Sequence, residues 1–218
     1  MRSGAQPFSL ILGSSSRTRQ QLLKELGYEF VVMRPDIDEE AIRHPDAERL
    51  VRLLGHAKAD ALLAHLGDRS RLDEQRAEGK PLLLITGDQV VVHEGRILEK
   101  PQDATEARRF ISSYGSAPAV TVGSVIVTNV STGKRYEALD RAEIYFHPIP
   151  ESVIEKLIEE GDVFSCAGGL MVEHPLVNKF VHHIVGSIDS VMGLNKTFTK
   201  SLIEQALSDD ARDCIGPN

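Results

Sequence analysis

Short apolar runs alternate with segments of helical spacing in the first part of the chain, and glycines separate them. The run 9–12 (Ser-Leu-Ile-Leu) ends at Gly13 and predicts a buried strand. Residues 22–26 carry three leucines at helical spacing and precede Gly27, which predicts a helix that ends at this glycine. Residues 28–33 predict a second strand. The chain therefore begins with a strand, a serine loop, a helix and a strand.

A longer amphipathic segment over residues 46–65 predicts a second helix. Its predicted apolar face consists of Leu50, Leu53, Leu54, Ala57 and Ala61. Lys58 falls about 80° from Leu50 around the helix axis, so we expect this lysine at the edge of that face. Residues 67–80 are crowded with charged side chains and predict a solvated loop.

The rest of the pattern completes an alternation of strands and helices. It predicts strands over 82–86, 90–92, 120–129, from 136 and over 141–147, 169–173 and 181–185, and helices over 104–113, 151–160 and 198–207. This order predicts the α/β class, with a mixed twisted sheet and flanking helices. No linker interrupts the pattern, so we expect one domain over residues 8–207 and a flexible tail over 208–218, and two lobes around a cleft remain an open alternative.

The composition narrows the class of protein. The 218 residues are 41% hydrophobic and 26% charged, which is enough apolar material for a sizeable core. The formal net charge of -7 argues against a broad nucleic-acid-binding surface, which normally carries a basic excess. The chain has two cysteines, Cys166 and Cys214, which is typical of a protein from a reducing compartment. We find no apolar stretch that could span a bilayer and no signal-peptide pattern, so we expect a cytoplasmic protein without a membrane partner.

A serine- and arginine-rich segment joins the first predicted strand to the first predicted helix. It contains Ser14, Ser15, Ser16, Arg17, Thr18 and Arg19. Backbone N–H groups at a helix start, hydroxyl groups and guanidinium groups together can bind an anion. The alternative is an ordinary serine cap with surface arginines. The spacing of a P-loop is absent.

Asp88 follows an apolar run and a glycine. A carboxylate at the end of a buried strand is costly unless it is paired, hydrated or bound to a metal. We therefore treat Asp88 as a candidate site residue. The alternative is a turn aspartate, which is a common role for this residue type.

Two lysines and an acidic cluster are weaker candidates when each is taken alone. Lys58 flanks an apolar helix face and Lys100 precedes a proline, but either can be an ordinary solvated lysine. The acidic cluster consists of Asp36, Asp38, Glu39 and Glu40. Its oxygens could bind a divalent cation, although such loops are usually only solvated.

Other types of catalytic site have little support. His174, His182 and His183 do not form zinc-ligand spacing with the cysteines, and no Gly-x-Ser-x-Gly sequence indicates a serine hydrolase. We expect Cys166, which lies in a segment of small residues, to be an inert buried thiol.

Taken in order, these segments resemble the Maf family of nucleotide pyrophosphatases. The matching segments are 10–19, 35–39, 57–59, 87–91, 100–107, 167–168, 185–186 and 190–194. No single segment is specific, but the ordered set covers about residues 8–205.

The resemblance implies a fold and a reaction. The fold is a mixed α/β sheet with two lobes around a central nucleotide-binding cleft, often in a homodimer. The reaction is hydrolysis of a nucleoside triphosphate to a monophosphate and pyrophosphate, with a divalent cation such as Mg²⁺ or Mn²⁺ as cofactor. The resemblance also implies that the serine loop (Ser14, Ser15, Ser16) and Thr18 contact the substrate.

The resemblance also assigns roles to single residues. Arg19 corresponds to the phosphate-binding arginine of the family, and Lys58 and Lys100 correspond to its phosphate-facing lysines. Glu39 corresponds to the acidic metal ligand. Asp88 corresponds to the general base and a second ligand of the metal.

The sequence departs from the family pattern at two places. Thr18 stands where the family often has an arginine, and Cys166 stands where a late Asp-Lys-Ala-Gly pattern has its lysine. Gln89 and Glu173 resemble the branch that prefers 7-methyl-GTP, because the pyrimidine-preferring branch has threonine and glutamine there. A glutamate could accept hydrogen bonds from a methylated guanine and offset its positive charge. Thr18, however, stands where the 7-methyl-GTP branch tends to carry a stacking tryptophan.

Two alternatives remain open. One is a housekeeping pyrophosphatase that acts on dTTP and UTP. The other is a nucleotide-binding regulator, for instance of cell division, with little catalysis. The cysteine at position 166 in place of a lysine keeps this second alternative open.

Overall fold

A computed structural model describes residues 6–67 and 79–213, with side chains up to residue 209. The strands are β1 Ser9–Leu12, β2 Val31–Val32, β3 Leu82–Thr86, β4 Gln89–His93, β5 Arg96–Leu98, β6 Ala119–Asn129, β7 Arg135–Phe146 and β8 Val181–Val185. The α-helices are α1 Arg17–Glu25, α2 Ala47–Leu66, α3 Ala104–Ser113, α4 Glu151–Glu160, α5 Ile188–Val191 and α6 Lys196–Asp213. Four 3-10 helices lie at Glu39–Ala41, Asp162–Ser165, Ala167–Gly169 and Asn178–Phe180.

All eight strands belong to one mixed sheet, which confirms the predicted α/β class. Strand β1 pairs in parallel with β2 and β3, and the other pairs are antiparallel. The long strand β6 pairs with β7 along one edge, while β3 and β4 share its other edge. No described helix is long and apolar enough to cross a membrane.

Strands β3 and β4 lie end to end along β6, with a break between them. Thr86 is opposite Ile126 and Gln89 is opposite Gly123, so two residues, Gly87 and Asp88, interrupt the line. Residues at such a break lie outside the regular register of the ladder, and their side chains can be directed away from the sheet. The break therefore places Asp88 at the middle of the sheet.

Helices cover both faces of the sheet, and β3 shows why its sequence is a continuous apolar run. Leu82 and Leu84 pack with α2 on one face, whereas Leu83 and Ile85 pack with α1 and α6 on the other. Alternate residues of a strand point to opposite faces, so a strand that is covered on both sides needs apolar residues throughout. Helices α3 and α4 cover a further part of the sheet around Val91, where a separate apolar cluster forms.

Most predicted elements are confirmed, and helix α3 has the predicted bounds. The predicted strand over 28–33 is reduced to Val31–Val32, which pair with Ile11 and Leu12 of the short strand β1. The predicted strand over 169–173 is wrong, because Gly168 and Gly169 have φ values of 63° and 61°, which strands do not contain. Helix α6 runs to Asp213, past the predicted end at residue 207.

The predicted face of α2 is also wrong in part. Leu53 is 47% exposed, whereas Lys58, placed by the pattern at the edge, is only 6% exposed. The buried stripe instead consists of Leu50, Val51, Leu54, Gly55, Lys58, Ala59, Leu62 and Leu66. The predicted charged loop over 67–80 lies mostly outside the described residues, as do Cys214 and the end of the expected tail.

Gly87 offers a test of how tightly this break is packed. A Cβ atom at Gly87 would lie 2.0 Å from the backbone oxygen of Ser124, which is part of β6 and has little room to move. We therefore expect Gly87→Ala to lower the free energy of unfolding by about 1–3 kcal/mol or more. Chemical denaturation followed by circular dichroism measures this change.

Gly123→Ala is the matched control, because its Cβ would meet no atom nearer than 3.5 Å and its backbone is not left-handed. We expect its unfolding free energy to stay within about 1 kcal/mol of the wild type. Equal stabilities of the two variants would contradict the tight approach of Gly87 to β6.

Candidate active site

A cleft of about 590 Å³ opens beside the break between β3 and β4. Asp36, Asp38 and Glu40 of the acidic cluster do not line it, whereas the site residues that the family resemblance indicates all do: Ser14, Ser15, Ser16, Thr18, Arg19, Glu39, Lys58, Asp88, Gln89, Lys100 and Glu173. These residues come from distant parts of the chain, and the fold brings them to one place. The predicted assembly of a single site thus agrees with the structure, while the role of each residue remains a prediction.

The centre of the cleft is a contact between one ammonium group and two carboxylates. The Nζ atom of Lys58 lies 3.1 Å from Oδ1 of Asp88 and 3.1 Å from Oε1 of Glu39. The side chain of Asp88 is 15% exposed, so its contact with Lys58 is shielded from water. A buried charge is costly without such partners. Lys58 therefore holds both carboxylates at the same point of the cleft.

Glu39 reaches this point from a capped 3-10 helix. Oδ1 of Asp38 accepts hydrogen bonds from the backbone N–H groups of Glu40 and Ala41 and so fixes the helix start. Partial burial acts to raise the pKa of Glu39, but the charges of Lys58 and Lys100 and the hydrogen bond from Lys58 lower the pKa below its ordinary value. Glu39 is therefore the member of the acidic cluster that contributes a charged carboxylate to the cleft.

Ser124, which the sequence analysis missed, holds the backbone of Asp88. Its hydroxyl group accepts from the N–H of Asp88 at 3.1 Å and donates to the carbonyl of Val51 in α2 at 2.7 Å. Its own N–H donates to the carbonyl of Asp88 at 2.9 Å. A serine in the middle of the apolar run of β6 was the available signal, because a buried hydroxyl group needs partners.

The serine loop forms the start of α1, as the pattern predicted. The hydroxyl group of Ser16 accepts from the N–H of Arg19 at 3.3 Å, and that of Ser14 accepts from the N–H of Ser16 at 3.2 Å. No acidic side chain lies in the first turn of the helix. The remaining N–H groups of this turn and the helix dipole favour an anion in the cleft.

Arg19 is more engaged with the protein than the resemblance implies. Its Nε donates to the carbonyl of Gly193 at 2.9 Å, and its Nη1 donates to the carbonyl of Gly87 at 3.1 Å and to Ser14 Oγ at 3.4 Å. Burial lowers the pKa of Arg19, while the charge of Asp88 acts in the opposite direction. Arg19 thus joins the serine loop, the Asp88 turn and the loop before α6, and only its Nη2 has no acceptor among the described residues.

Gln89 is likewise tied to the protein. Its Nε2 donates to the carbonyl of Ser190 at 2.8 Å, and its Oε1 faces Gly193, where a Cβ atom would lie 3.2 Å from it. Both ends of its amide therefore face the loop that also binds Arg19. The structure places Gln89 in the cleft wall but commits one of its two N–H donors to that loop.

A further part of the cleft wall is apolar with an acidic edge. Its apolar side chains are Val91, Leu170, Met171, Val172, Val191 and Met192. Asp162 and Glu173 line the same region and flank Cys166. Burial raises the pKa of the Cys166 thiol, and the charges of Glu173 and Asp162 add to this effect. Cys166 is therefore a neutral thiol beside two carboxylates.

Lys100 completes the cleft from the segment after β5. Its side chain is exposed, and no acidic partner pairs with it among the described residues. Its charge nevertheless lowers the pKa of Glu39, after the stronger effects of burial and of Lys58. Lys100 is therefore a cation that is available to an anion in the cleft.

Comparisons with known proteins agree with this site. The family model described as Maf-like protein matches residues 9–206. A 7-methyl-GTP pyrophosphatase of Dictyostelium discoideum is 46% identical over 197 residues, which are 90% of this chain and 96% of the relative. A dTTP/UTP pyrophosphatase of Vibrio vulnificus (strain YJ016) is 30% identical over 90% of this chain and 97% of the relative. A nucleoside triphosphate pyrophosphatase of Salinispora tropica is 28% identical over 93% of this chain and 86% of the relative. With its cations and its central aspartate in one cleft, and with a match over nearly its whole length, the chain belongs to the family of Maf-like proteins.

Proposed function

We propose that this protein hydrolyses a nucleoside triphosphate at the bond between the α and β phosphates, giving a monophosphate and pyrophosphate. The observation that carries the proposal is the position of Asp88. Its carboxylate lies in a cleft beside Lys58 and the start of α1, where a phosphate chain is attracted. The pyrophosphatase relatives support the same reaction.

The phosphate chain lies along the serine loop in this proposal. Lys100, the N–H groups at the start of α1 and Nη2 of Arg19 bind its oxygens. Each contact between unit charges at 4 Å contributes roughly 4 kcal/mol before desolvation at an effective dielectric constant of 20. These contacts hold the reacting phosphorus near Asp88 and reduce the repulsion that an attacking oxygen meets.

Asp88 orients the attacking water and takes its proton. The water oxygen forms a bond to the α phosphorus, the bond from this phosphorus to the bridging oxygen breaks, and pyrophosphate leaves. Ser124 and Lys58 act on Asp88 itself: Ser124 fixes its backbone, and Lys58 fixes one carboxylate oxygen. The second carboxylate oxygen of Asp88 is the one that contacts the water.

A divalent cation fits the residues at this point. Glu39 and Asp88 converge on one ammonium group, so two carboxylates, which are the oxygen ligands that Mg²⁺ prefers, lie together. The described residues hold no group of three or more acidic, histidine or cysteine side chains that could bind a metal by themselves. Substrate phosphates and water would therefore supply the other ligands of Mg²⁺ or Mn²⁺, and the cation would neutralise phosphate charge.

We propose 7-methyl-GTP as the preferred substrate. The acidic edge formed by Asp162 and Glu173 suits a base that carries a positive charge, and the relative with 46% identity is named for this substrate. The second candidate is dTTP or UTP, which the relatives at 30% identity favour.

Two further parts of the proposal concern the assembly and the location. Val185 of β8, an edge strand of the sheet, and Ile188, the first residue of α5, are both exposed apolar side chains, which supports a homodimer. The free thiol of Cys166 supports a cytoplasmic location.

Replacement of the central aspartate tests the reaction. We expect Asp88→Asn to lower kcat about 10²–10⁴-fold, because the amide cannot take a proton from water. Pyrophosphate release measures the rate, and the melting temperature checks the fold. Asp36→Asn, an exposed residue of the acidic cluster outside the cleft, is the control and should keep the wild-type rate. A wild-type rate in Asp88→Asn would refute the role of Asp88.

Turnover of a nucleotide panel tests the substrate. We expect the highest kcat/KM on 7-methyl-GTP among 7-methyl-GTP, GTP, UTP and dTTP, with activity in Mg²⁺ or Mn²⁺ and loss in a chelator. Glu173→Gln should lower kcat/KM for 7-methyl-GTP about tenfold and change that for GTP less, because only the methylated base carries a full positive charge.

Three results would contradict this assignment of the substrate. Preference for UTP or dTTP would favour the second candidate. An equal effect of Glu173→Gln on GTP and 7-methyl-GTP would remove the charge argument. Stabilisation by nucleotides without pyrophosphate release would instead favour a binding protein with little catalysis.

A further inference from the structure

Arg17 is a cation of the cleft that the proposed mechanism does not use. It is the first residue of α1, its side chain is exposed, and it lines the same cleft as Asp88. No salt bridge or side-chain hydrogen bond engages it among the described residues, in contrast to the two deeper cations. Lys58 is bound by two carboxylates, and Arg19 donates to three protein acceptors.

Arg17 lies at a position where a positive charge does not stabilise the helix. The N-terminus of a helix carries a partial positive charge, so an arginine at the first position is unfavourable there, whereas Lys24 in the last turn is well placed. Nothing in the described contacts of Arg17 offsets this cost. A charge that is unfavourable for the empty protein and faces a cleft is best explained by an anion that binds there.

The charge balance of the cleft makes Arg17 important for the binding of an anion. Four cationic side chains (Arg17, Arg19, Lys58, Lys100) and four carboxylates (Glu39, Asp88, Asp162, Glu173) line it, so its formal charges cancel. Lys58 and most of Arg19 are already engaged by protein groups, so Arg17 and Lys100 are the two cationic side chains of the cleft without a hydrogen bond or ion pair among the described residues. Removal of either of these side chains gives the cleft a net negative formal charge.

We propose that Arg17 binds the terminal phosphate of the substrate and, after hydrolysis, the pyrophosphate product. This inference rests on the proposed function and adds a determinant of phosphate-chain length. Asp88 is only slightly exposed, whereas Arg17 lines the same cleft with an exposed side chain, so a chain whose α phosphorus is at Asp88 extends towards solvent along the start of α1. The last phosphate is the one that reaches Arg17, and a diphosphate lacks it.

The test compares Arg17→Ala and Arg17→Lys with Lys24→Ala, an exposed cation at the other end of the same helix and outside the cleft. For Arg17→Ala, we expect KM for the triphosphate and the inhibition constant of pyrophosphate to rise about tenfold, with kcat changed less than about threefold. Inhibition by the monophosphate and the rate on a diphosphate should not change. Arg17→Lys should restore part of the affinity, and Lys24→Ala should match the wild type.

Stability supplies a second readout. Arg17→Ala should keep or slightly raise the melting temperature, because an unfavourable charge at the helix start is removed. An unchanged KM and unchanged pyrophosphate inhibition in Arg17→Ala would overturn the inference, as would an equal loss of affinity for the monophosphate.

The proposed function and the role of Arg17 can be refuted independently of each other. If the wild-type protein releases no pyrophosphate from any nucleotide, the proposed function is wrong. Calorimetric titration of pyrophosphate into wild type and Arg17→Ala then still decides the role of Arg17: weaker binding by the variant supports it, and equal binding refutes it.

Discussion

The site depends on one buried ammonium group. Lys58 is almost fully removed from water, and a lysine in that position without partners would destabilise the fold by several kcal/mol. Asp88 and Glu39 meet this requirement from two segments that are far apart in the chain. The charge of Lys58 therefore does more than attract a phosphate. It requires the break between β3 and β4 and the 3-10 helix Glu39–Ala41 to approach α2 together.

The position of α2 against the sheet follows from hydroxyl groups and small residues. Ser124 donates to the carbonyl of Val51 and Thr86 donates to the carbonyl of Gly55, both within the helix. A Cβ atom at Gly55 would lie 2.8 Å from a methyl group of Ile126 and 3.0 Å from the hydroxyl of Ser124, so the absence of a side chain permits this close contact. The helix that carries Lys58 is thus held at a fixed distance from the strand that holds Asp88.

Whether a feature of the fold can be predicted from the sequence depends on whether the contacts that cause it lie within one segment or join distant segments. The apolar run of β3 and the cap and spacing of α3 are local, and the sequence predicts both elements correctly. The exposed face of α2 is not local, because the contacts that bury Lys58 and leave Leu53 in water come from other segments. The segment after Gly168 was misread for the same reason: its left-handed turns are held by the hydrogen bond from the Tyr114 hydroxyl to the carbonyl of Gly168.

The candidate site likewise contains residues that the sequence indicates and contacts that depend on the fold. The cationic and acidic residues could be selected from the sequence because charges beside apolar runs are unusual, and a family resemblance gave their order. Ser124 was missed although its signal was present. The engagement of Arg19 and Gln89 could not be predicted, because their acceptors at Gly193 and Ser190 lie in a loop that only the fold brings near.

The contact of Gln89 with the loop at Ser190 affects which side chains of the cleft can recognise the base. One of the two N–H groups of Gln89 donates to Ser190 and so limits the orientation of its amide, which gives the charged groups elsewhere in the cleft a larger share in discrimination between bases. The apolar part of the cleft wall carries polarisable methionine side chains with the carboxylates of Asp162 and Glu173 in the same cleft, and no aromatic side chain lines the cleft among the described residues. Such a wall selects by charge more than by stacking. A cleft that offers the exposed cations Arg17 and Lys100 together with the carboxylates of Asp162 and Glu173 therefore suits a molecule that is anionic at its phosphates and cationic at its base.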